Sequence, residues 1–290
     1  MKRTGVGEMG RGPKKMTEAL IKERQIEGRG QGEGANYKPW LETFDLSSVG
    51  RVSRPYSPKC ERSVHLLSDV EANTFYALEW SQRVTGIREE FPLDRELTLE
   101  IAAALGIAHP YYPGTKVPTV MTVDFLVDFH DNDQKRLEAW DCKRTEDSED
   151  PRKIEKLQIT RTYFAGMDIP HRLVFHSELP MQKIRNIEWI RGGMLKTGED
   201  ERYAGALREQ SLIMSHDLAG STRNQPLQEY CREFEIRQGL NPGEGLRVAK
   251  LLMYERVLIC DLSNPNLASA PLASFRCTFK ADSLRAMGGR

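Results

Sequence analysis

Cysteine is scarce in this sequence of 290 residues, and the five cysteines present form no recognisable pattern. Their number is odd, they are spread along the chain, and no two are spaced as Cys-x-x-Cys. A disulfide framework or a structural zinc site requires paired or closely spaced cysteines. The histidines show no metal-binding spacing either, and we expect His171 and His176 to be ordinary surface or core residues. Neither a disulfide scaffold nor a zinc site is therefore indicated.

Long apolar runs are also missing. No stretch approaches the roughly 20 apolar residues that a membrane-spanning helix requires. The first 15 residues lack the apolar core of a secretion signal. They are rich in Gly, Lys and Arg, which predicts a segment that is disordered or ordered only by a partner. We therefore expect a cytoplasmic protein.

Charge of one sign is not in excess, because 42 Lys and Arg residues stand against 42 Asp and Glu residues. A strong overall field that attracts nucleic acid is thereby excluded, so that any DNA binding has to be local or supplied by a partner. Apolar residues make up 39% of the chain and charged residues 29%, which is typical of a globular protein. A chain of this length predicts about two domains.

The most informative stretch, residues 117–144, predicts a β-hairpin. Residues 120–129 are almost all β-branched, aromatic or aliphatic, as in a buried strand. The sequence His130-Asp131-Asn132-Asp133 then favours a turn, and residues 137–142 predict the second strand.

Three charged side chains of this hairpin form a candidate metal site. Because side chains alternate across a strand, Asp141 and Lys143 project from one face, and Asp124 on the first strand is close enough to share a site with them. Two carboxylates offer oxygen ligands to Mg²⁺, while an ammonium orients water or neutralises a phosphate. The set predicts metal-assisted phosphodiester hydrolysis. The alternative is a solvated face on which Lys143 pairs with an aspartate, but Asp124 interrupts a run that otherwise has little sign of a solvated side.

Glu71 has two candidate roles. Residues 68–84 predict a helix of about 17 residues with one apolar side. Ser68 followed three residues later by Glu71 is a capping box, in which both side chains satisfy main-chain donors at the helix start. Local evidence favours the capping role, and the alternative is that Glu71 supplies a third carboxylate to the metal site.

The first 48 residues predict a basic, Gly-rich N-terminal arm. Its glycine segment lacks the Gly-Lys-Ser/Thr ending of a nucleotide-binding loop, so we expect an arm that lies over the neighbouring domain, anchored by Tyr37 and Trp40. Arg24 and Arg29 are candidates for contact with a DNA backbone.

Two domains are predicted after the arm. Residues 49–177 predict a mixed α/β catalytic domain of helices, the hairpin, a further helix and a short strand. Residues 178–290 predict a small, mostly helical domain whose last three helices and short hairpin follow the plan of a winged helix. The third helix of this plan carries Arg247 and Lys250. The sequence is equally compatible with contact of these residues with DNA and with an ordinary solvated helix face. Docking of a protein partner is compatible as well.

Several segments taken together resemble the TnsA family, the endonuclease subunits of heteromeric bacterial transposases. They cover roughly residues 24 to 190, in order and with similar spacing. The segments are EGRGQGEGANYKPWL from Glu27, HLLSDVEANTFYALEW from His65, IREEFPL from Ile87, IA-x-x-x-GI-x-HP from Ile101, VMTVDFLVDF from Val120, Asp-x-Lys at Asp141, IEKL from Ile154 and NIEWI from Asn186.

The resemblance implies an α/β fold with a restriction-endonuclease-like catalytic domain, followed by a small winged-helix-like domain that docks partners or contacts DNA. It implies that Glu71, Asp124 and Asp141 are metal ligands and that Lys143 completes the catalytic site. The familiar family member has Gln where this chain has Asp141, and the aspartate adds a charge that favours Mg²⁺.

The implied reaction is cleavage of the non-transferred (5′) strands at transposon ends during cut-and-paste transposition. Mg²⁺ is the implied cofactor, with Mn²⁺ as a substitute. The implied partners are a DDE-type transposase subunit, an AAA+ ATPase regulator and transposon-end DNA, which would bring the protein to the nucleoid during transposition. A freestanding restriction or repair nuclease, or a non-catalytic adaptor between transposase and regulator, are the alternatives.

Overall fold

The described residues of this chain form two compact units, one that ends at Leu179 and one that begins at Pro180. The predictions for the first 14 residues, and for Asn132 and Asp133 of the central turn, lie outside them. The division of the sequence into an arm and two domains stays a prediction. The computed structural model describes residues 15–45, 51–131, 134–196, 198–219 and 224–278.

The first unit contains a four-stranded mixed sheet. Its first two pairs of neighbouring strands are antiparallel, and its last pair is parallel. The predicted hairpin is confirmed as the two central strands. A small pair of strands, β1 (Tyr56–Ser57) and β2 (Arg62–Ser63), precedes the sheet, which consists of β3 (Val84–Pro92), β4 (Thr122–Asp131), β5 (Gln134–Lys143) and β6 (His171–Phe175), in that spatial order.

Capping residues mark the start of one helix and the end of another in the first unit. The Asp150 carboxylate accepts hydrogen bonds from the N–H groups of Arg152 and Lys153, and Pro151 opens the helix after it. Gly106 ends the preceding helix with φ 67°, a left-handed conformation that glycine adopts without strain. The helices are α1 (Glu18–Ile26), α2 (Asp69–Trp80), α3 (Arg95–Leu105) and α4 (Pro151–Ala165).

The helix predicted over residues 68–84 is too long, because α2 ends at Trp80. Ser81 is extended, and β3 begins at Val84. Val84 and Ile87 are buried in the core between the sheet and α2, where they pack as strand residues. Tertiary packing therefore overrides the helical periodicity of the last four residues of the prediction.

Two apolar cores cover the two faces of the sheet. Phe125 of β4 packs with Phe75 of α2 on one face. Leu126 of β4 and Ala139 of β5 pack with Ile159 of α4 on the other face. Because side chains alternate, Asp124 and Asp141 project from the same face as Leu126 and Ala139, at the end of the sheet away from the hairpin turn.

The described part of the arm, residues 15–45, is docked on β3. Tyr37 and Trp40 are buried, and the Tyr37 hydroxyl donates a hydrogen bond to the main-chain oxygen of Glu89 at 2.9 Å. The main-chain N–H of Trp40 donates to the main-chain oxygen of Glu90 at 3.1 Å. The arm thus contacts the sheet through main-chain groups of β3.

The second unit is mostly helical. Its core includes Ile187, Phe234 and Leu252, all buried. The two short strands pair in an antiparallel manner, as predicted, while the winged-helix plan stays a prediction. No described helix has the length and apolar character that crossing a membrane requires. The elements are α5 (Met181–Arg191), α6 (Ala206–Leu218), α7 (Leu227–Gln238), α8 (Glu244–Tyr254), β7 (Leu258–Ile259) and β8 (Arg276–Cys277).

Candidate metal centre

Asp124 lies where β4 and β5 stop pairing through their main chains. The paired residues farthest from the turn are Phe125 and Trp140. Beyond them, Oδ2 of Asp124 accepts a hydrogen bond from the N–H of Cys142 at 2.5 Å. In a continuous strand ladder a main-chain carbonyl would accept the hydrogen bond from this N–H group. Here the Asp124 carboxylate accepts it, and the bond fixes the Asp124 side chain at the edge of a cleft.

Lys143 joins the two aspartates of the hairpin. Its Nζ lies 3.0 Å from Oδ2 of Asp124 and 3.1 Å from Oδ1 of Asp141. Burial opposes the charge on Lys143, but the two carboxylates outweigh burial and raise its pKa well above the ordinary value. Burial raises the pKa of Asp124, and the ammonium opposes that rise. The structure therefore brings together the three hairpin residues that the sequence predicted.

Asp141 has a second partner that the sequence did not predict, because Nε2 of His171 on β6 lies 2.8 Å from its Oδ2. β5 and β6 are parallel neighbours, and the His171 ring stacks on Phe164. Burial opposes ionisation of Asp141, but Lys143 and His171 outweigh it and lower the pKa of the carboxyl group. His171 is thus a residue of the candidate site, while His176 is exposed.

Glu71 occupies the first turn of α2 and carries out the capping role. Its Oε2 accepts from the N–H of Leu67 at 2.7 Å, and its Oε1 accepts from the hydroxyl of Ser68 at 2.8 Å. The N–H of Glu71 donates to the same hydroxyl at 3.2 Å. Burial, with a further contribution from the charge of Asp124, raises the pKa of Glu71 to about 7.

A fourth carboxylate, that of Glu90 on β3, was not predicted. Ligand oxygens of Glu71, Glu90 and Asp124 all lie within 4.8 Å of one another. Burial, followed by the charges of Glu71 and Asp124, raises the pKa of Glu90 well above its ordinary value. The signal in the sequence was the pair Glu89-Glu90 inside an extended segment. Because successive side chains of a strand point to opposite faces, two consecutive acids cannot both lie on its solvated face.

The charges of this cluster fit a divalent cation. Glu71, Glu90, Asp124 and Asp141 contribute four carboxylates, and within the described ranges Lys143 is the one Lys or Arg that pairs with any of them. The carboxylates of Glu71, Glu90 and Asp124, whose oxygens lie within 4.8 Å of one another, repel one another unless they are protonated or share a cation. Carboxylate oxygens are the ligands that Mg²⁺ and similar hard cations prefer.

An open cleft of about 450 Å³ leads to the hairpin end of the cluster. Asp124, Asp141 and Lys143 lie in its wall, together with Lys153 and Lys156 of α4. The ammonium of Lys153 pairs with Asp147. The cleft therefore gives a ligand in solution access to the aspartates, and Lys156 adds a further ammonium to its wall.

The two arm residues considered for DNA contact are engaged within the first unit. Arg24 is buried and pairs with Asp45 at 2.8 Å. Arg29 pairs with the same carboxylate at 2.7 Å, and both guanidinium groups donate to the main-chain oxygen of Trp40. These contacts hold the arm together, and DNA contact by either residue stays a prediction.

The two candidates in the second unit are also engaged. Arg247 forms an ion pair with Glu199 and donates hydrogen bonds to the main-chain oxygens of Gly193 and Met194. The ammonium of Lys250 lies 4.3 Å from the centroid of the Trp189 ring. Their role at DNA stays a prediction as well.

Two known protein families match consecutive parts of this chain. A family described as "TnsA-like endonuclease N terminal" matches residues 81–176, and one described as "TnsA endonuclease C terminal" matches residues 178–262. The chain is also 36% identical, over 236 residues, to the Transposon Tn7 transposition protein TnsA of Escherichia coli. That alignment covers 81% of this chain and 83% of the relative. Residues 81–176 include Glu90, Asp124, Asp141 and Lys143 of the candidate site.

Proposed function

Since this chain belongs to the TnsA endonuclease family, we propose that its acidic cluster binds Mg²⁺ and cuts the non-transferred 5′ strands at transposon ends. It is an endonuclease subunit of a Tn7-like transposase. The observation that carries the proposal is the contact of one buried ammonium, Lys143, with two carboxylates that line an open cleft. We also propose that the first domain has a restriction-endonuclease-like fold and that the second domain is winged-helix-like.

Each hairpin residue and Glu71 has a role in the proposal. Glu71, Asp124 and Asp141 supply oxygen ligands, as carboxylates do for Mg²⁺ in phosphodiester-cleaving sites. The ion, with Mn²⁺ as a substitute, would stabilise charge on the phosphate and lower the pKa of a bound water. Lys143 neutralises a phosphate oxygen or orients the attacking water, because its ammonium lies between the two aspartates.

Second contacts keep these groups in place. The N–H of Cys142 fixes one oxygen of Asp124, and His171 fixes one oxygen of Asp141. Partners of this kind orient metal ligands and the groups beside them. His171 therefore acts as a positioning residue for Asp141.

Local positive charge supports DNA binding at the cleft. Lys153 and Lys156 lie on the exposed side of α4 and line the same cleft as the aspartates. In the proposal they contact backbone phosphates on either side of the cut, since Lys binds phosphate without regard to sequence. The proposal assigns recognition of the transposon ends to the partner transposase.

The second unit is proposed to dock partners. The partners proposed are a DDE-type transposase subunit, which cuts and joins the 3′ ends, and an AAA+ ATPase regulator. The chain carries equal numbers of acidic and basic residues, which supports action within a complex, because an autonomous nuclease usually has its own extended phosphate-binding surface.

Replacing Asp124 with Ala in the reconstituted transposition reaction tests the proposal. We expect 5′-strand cleavage to be lost while 3′ joining and assembly of the complex continue, because Asp124 is both a proposed ligand and a partner of Lys143. Strand-specific end-labelling of the donor DNA measures both cuts in one reaction.

Glu138→Gln provides the control, since Glu138 pairs with Arg172 on the opposite face of β5. This control is expected to cut both strands at the rate of the unaltered protein. Complete double-strand excision by Asp124→Ala would exclude the nuclease role proposed for this site.

A further inference from the structure

Glu90 differs sharply from its neighbour Glu89, although both are buried on β3. Glu89 receives two hydrogen bonds from the guanidinium of Arg62, at 2.7 and 2.6 Å, and a third from the N–H of His65. In the part of the chain that is described, Glu90 has no such cation or main-chain donor. Its one hydrogen-bond donor there is the hydroxyl of Thr122, 2.8 Å from Oε2. Glu89 is therefore paired with a cation within the protein, and Glu90 has no paired cation among the described residues.

The position of Glu90 is set by the pairing of β3 with β4. Glu89 pairs with Phe125 and Phe91 pairs with Val123, so Glu90 is level with Asp124. Glu90 has φ 46°, an uncommon conformation for a residue with a side chain. The hydrogen bonds from the Trp40 main chain and the Thr122 side chain hold the residue in this conformation.

The resulting distances suit shared ligation of one ion. Oxygens of Glu90, Glu71 and Asp124 lie within 4.8 Å of one another. In an octahedral site with Mg–O distances of about 2.1 Å, neighbouring ligand oxygens are about 3 Å apart and opposite ones about 4 Å. Small side-chain movements close the remaining difference. Oε1 of Glu90 accepts no hydrogen bond from the described residues, which leaves it available as a ligand.

We infer that Glu90 is a ligand of the divalent cation, together with Glu71 and Asp124. The inference deepens the proposed function and rests on it. It adds a residue of β3 to ligands that come from α2 and the hairpin, so that the ion ties three elements of the first unit together. Thr122 is then a positioning residue that holds Oε2 and directs the carboxylate of Glu90.

The test measures Mn²⁺ binding by the full-length protein without DNA, from the loss of the electron paramagnetic resonance signal of free Mn²⁺. Glu90→Gln keeps the size of the side chain and removes its charge. We expect its affinity for Mn²⁺ to fall about tenfold or more, because loss of even an outer partner of a metal ligand costs about that much. Glu138→Gln, on the opposite face of β5, is expected to bind as the unaltered protein does.

An affinity of Glu90→Gln equal to that of the unaltered protein would overturn the inference. Glu71→Gln and Asp124→Asn separate this result from failure of the proposed function. If these two lose affinity and Glu90→Gln does not, the metal site stands and Glu90 is not part of it. If all three bind Mn²⁺ normally, the proposed metal site itself is wrong.

Folding of each variant is checked by circular dichroism before titration. Should Glu90→Gln fail to fold, Glu90→Asp keeps the charge and withdraws the carboxylate by one methylene group. A ligand role predicts weaker Mn²⁺ binding by Glu90→Asp, restored in part at higher Mn²⁺ concentration. Unchanged affinity of Glu90→Asp would count against the inference in the same way.

Discussion

At the scale of single residues, Glu71 caps α2 and also lies among the acidic residues of the candidate site, although its sequence context presents the two roles as alternatives. Its carboxylate accepts hydrogen bonds from the Leu67 N–H and the Ser68 hydroxyl, and it also lies in the acidic cluster with Glu90 and Asp124. Each carboxylate oxygen has two lone pairs, so one hydrogen bond to an oxygen leaves room for a second interaction. The cap fixes the side-chain direction, and in the proposed function the same carboxylate is a ligand of the ion.

His171 provides a prediction at the residue scale. Replacing His171 with Phe keeps a ring against Phe164 and removes the donor to Asp141. We expect 5′-strand cutting to slow about 10- to 100-fold, as for other partners of metal-site groups. His171→Gln, which restores an N–H donor, should recover part of the rate. Single-turnover cleavage of labelled transposon-end DNA in the assembled complex measures both variants.

His176→Gln is the matched control, because His176 is exposed and begins the short turn after β6. The control should cut at the ordinary rate. If His171→Phe cuts as fast as this control, Asp141 does not depend on His171 for its position.

At the scale of elements, the arm and β3 form one packed layer. Gly30 has φ 78° and lies so close to Pro92 that a Cβ atom would come within 2.1 Å of the proline ring. Gly28 has the same φ of 78°, and a Cβ atom there would meet nothing within 4 Å. The two glycines thus share backbone conformation and differ in the space beside them.

Alanine at these two positions therefore separates backbone strain from arm docking. Gly28→Ala should lower the free energy of unfolding by about 1 kcal/mol, through the positive φ alone. Gly30→Ala should lower it by about 1 to 3 kcal/mol more, because the added methyl group displaces the arm from Pro92. Urea denaturation followed by circular dichroism measures both. Equal losses for the two variants would mean that the arm is not packed on β3 in solution.

At the scale of the whole molecule, the balance of charge predicts dependence on partners. Acidic and basic residues are equal in number, and the two candidate arginines of the arm are paired with Asp45. Among the described residues that line the cleft, the Lys and Arg side chains are those of Lys143, Lys153 and Lys156. Sequence-independent affinity for DNA depends on the number of phosphates that Lys and Arg side chains contact, and few such contacts give weak binding. The isolated protein should therefore hold DNA weakly.

We expect the purified protein to leave supercoiled plasmid nearly intact with Mg²⁺ at physiological salt, and to cut transposon ends once the transposase and regulator are added. Agarose gels of plasmid carrying the transposon ends record both reactions. Efficient cutting of plasmid that lacks these ends, without partners, would instead favour a freestanding nuclease. The Asp124→Ala protein controls for contaminating nucleases, since it should leave the plasmid intact by itself and should not cut the 5′ strands when the partners are present.

The sequence by itself determined the local parts of this protein. Alternation along one strand places Asp141 and Lys143 on one face, and a short turn brings Asp124 to them, so the hairpin and its three charged residues followed from nearby residues alone. The start of α4 at Pro151 and the end of α3 at Gly106 were equally local, because capping depends on a few adjacent side chains.

Only the tertiary structure decided which distant residues join that hairpin. Glu71 comes from a helix, Glu90 from the edge strand and His171 from a parallel strand, and no pattern within one segment encodes the distances among them. The end of α2 at Trp80 also depended on the sheet, which takes Val84 into its core. Local propensity specifies elements, but the meeting of side chains from separate elements depends on how those elements pack, which is a property of the folded chain as a whole.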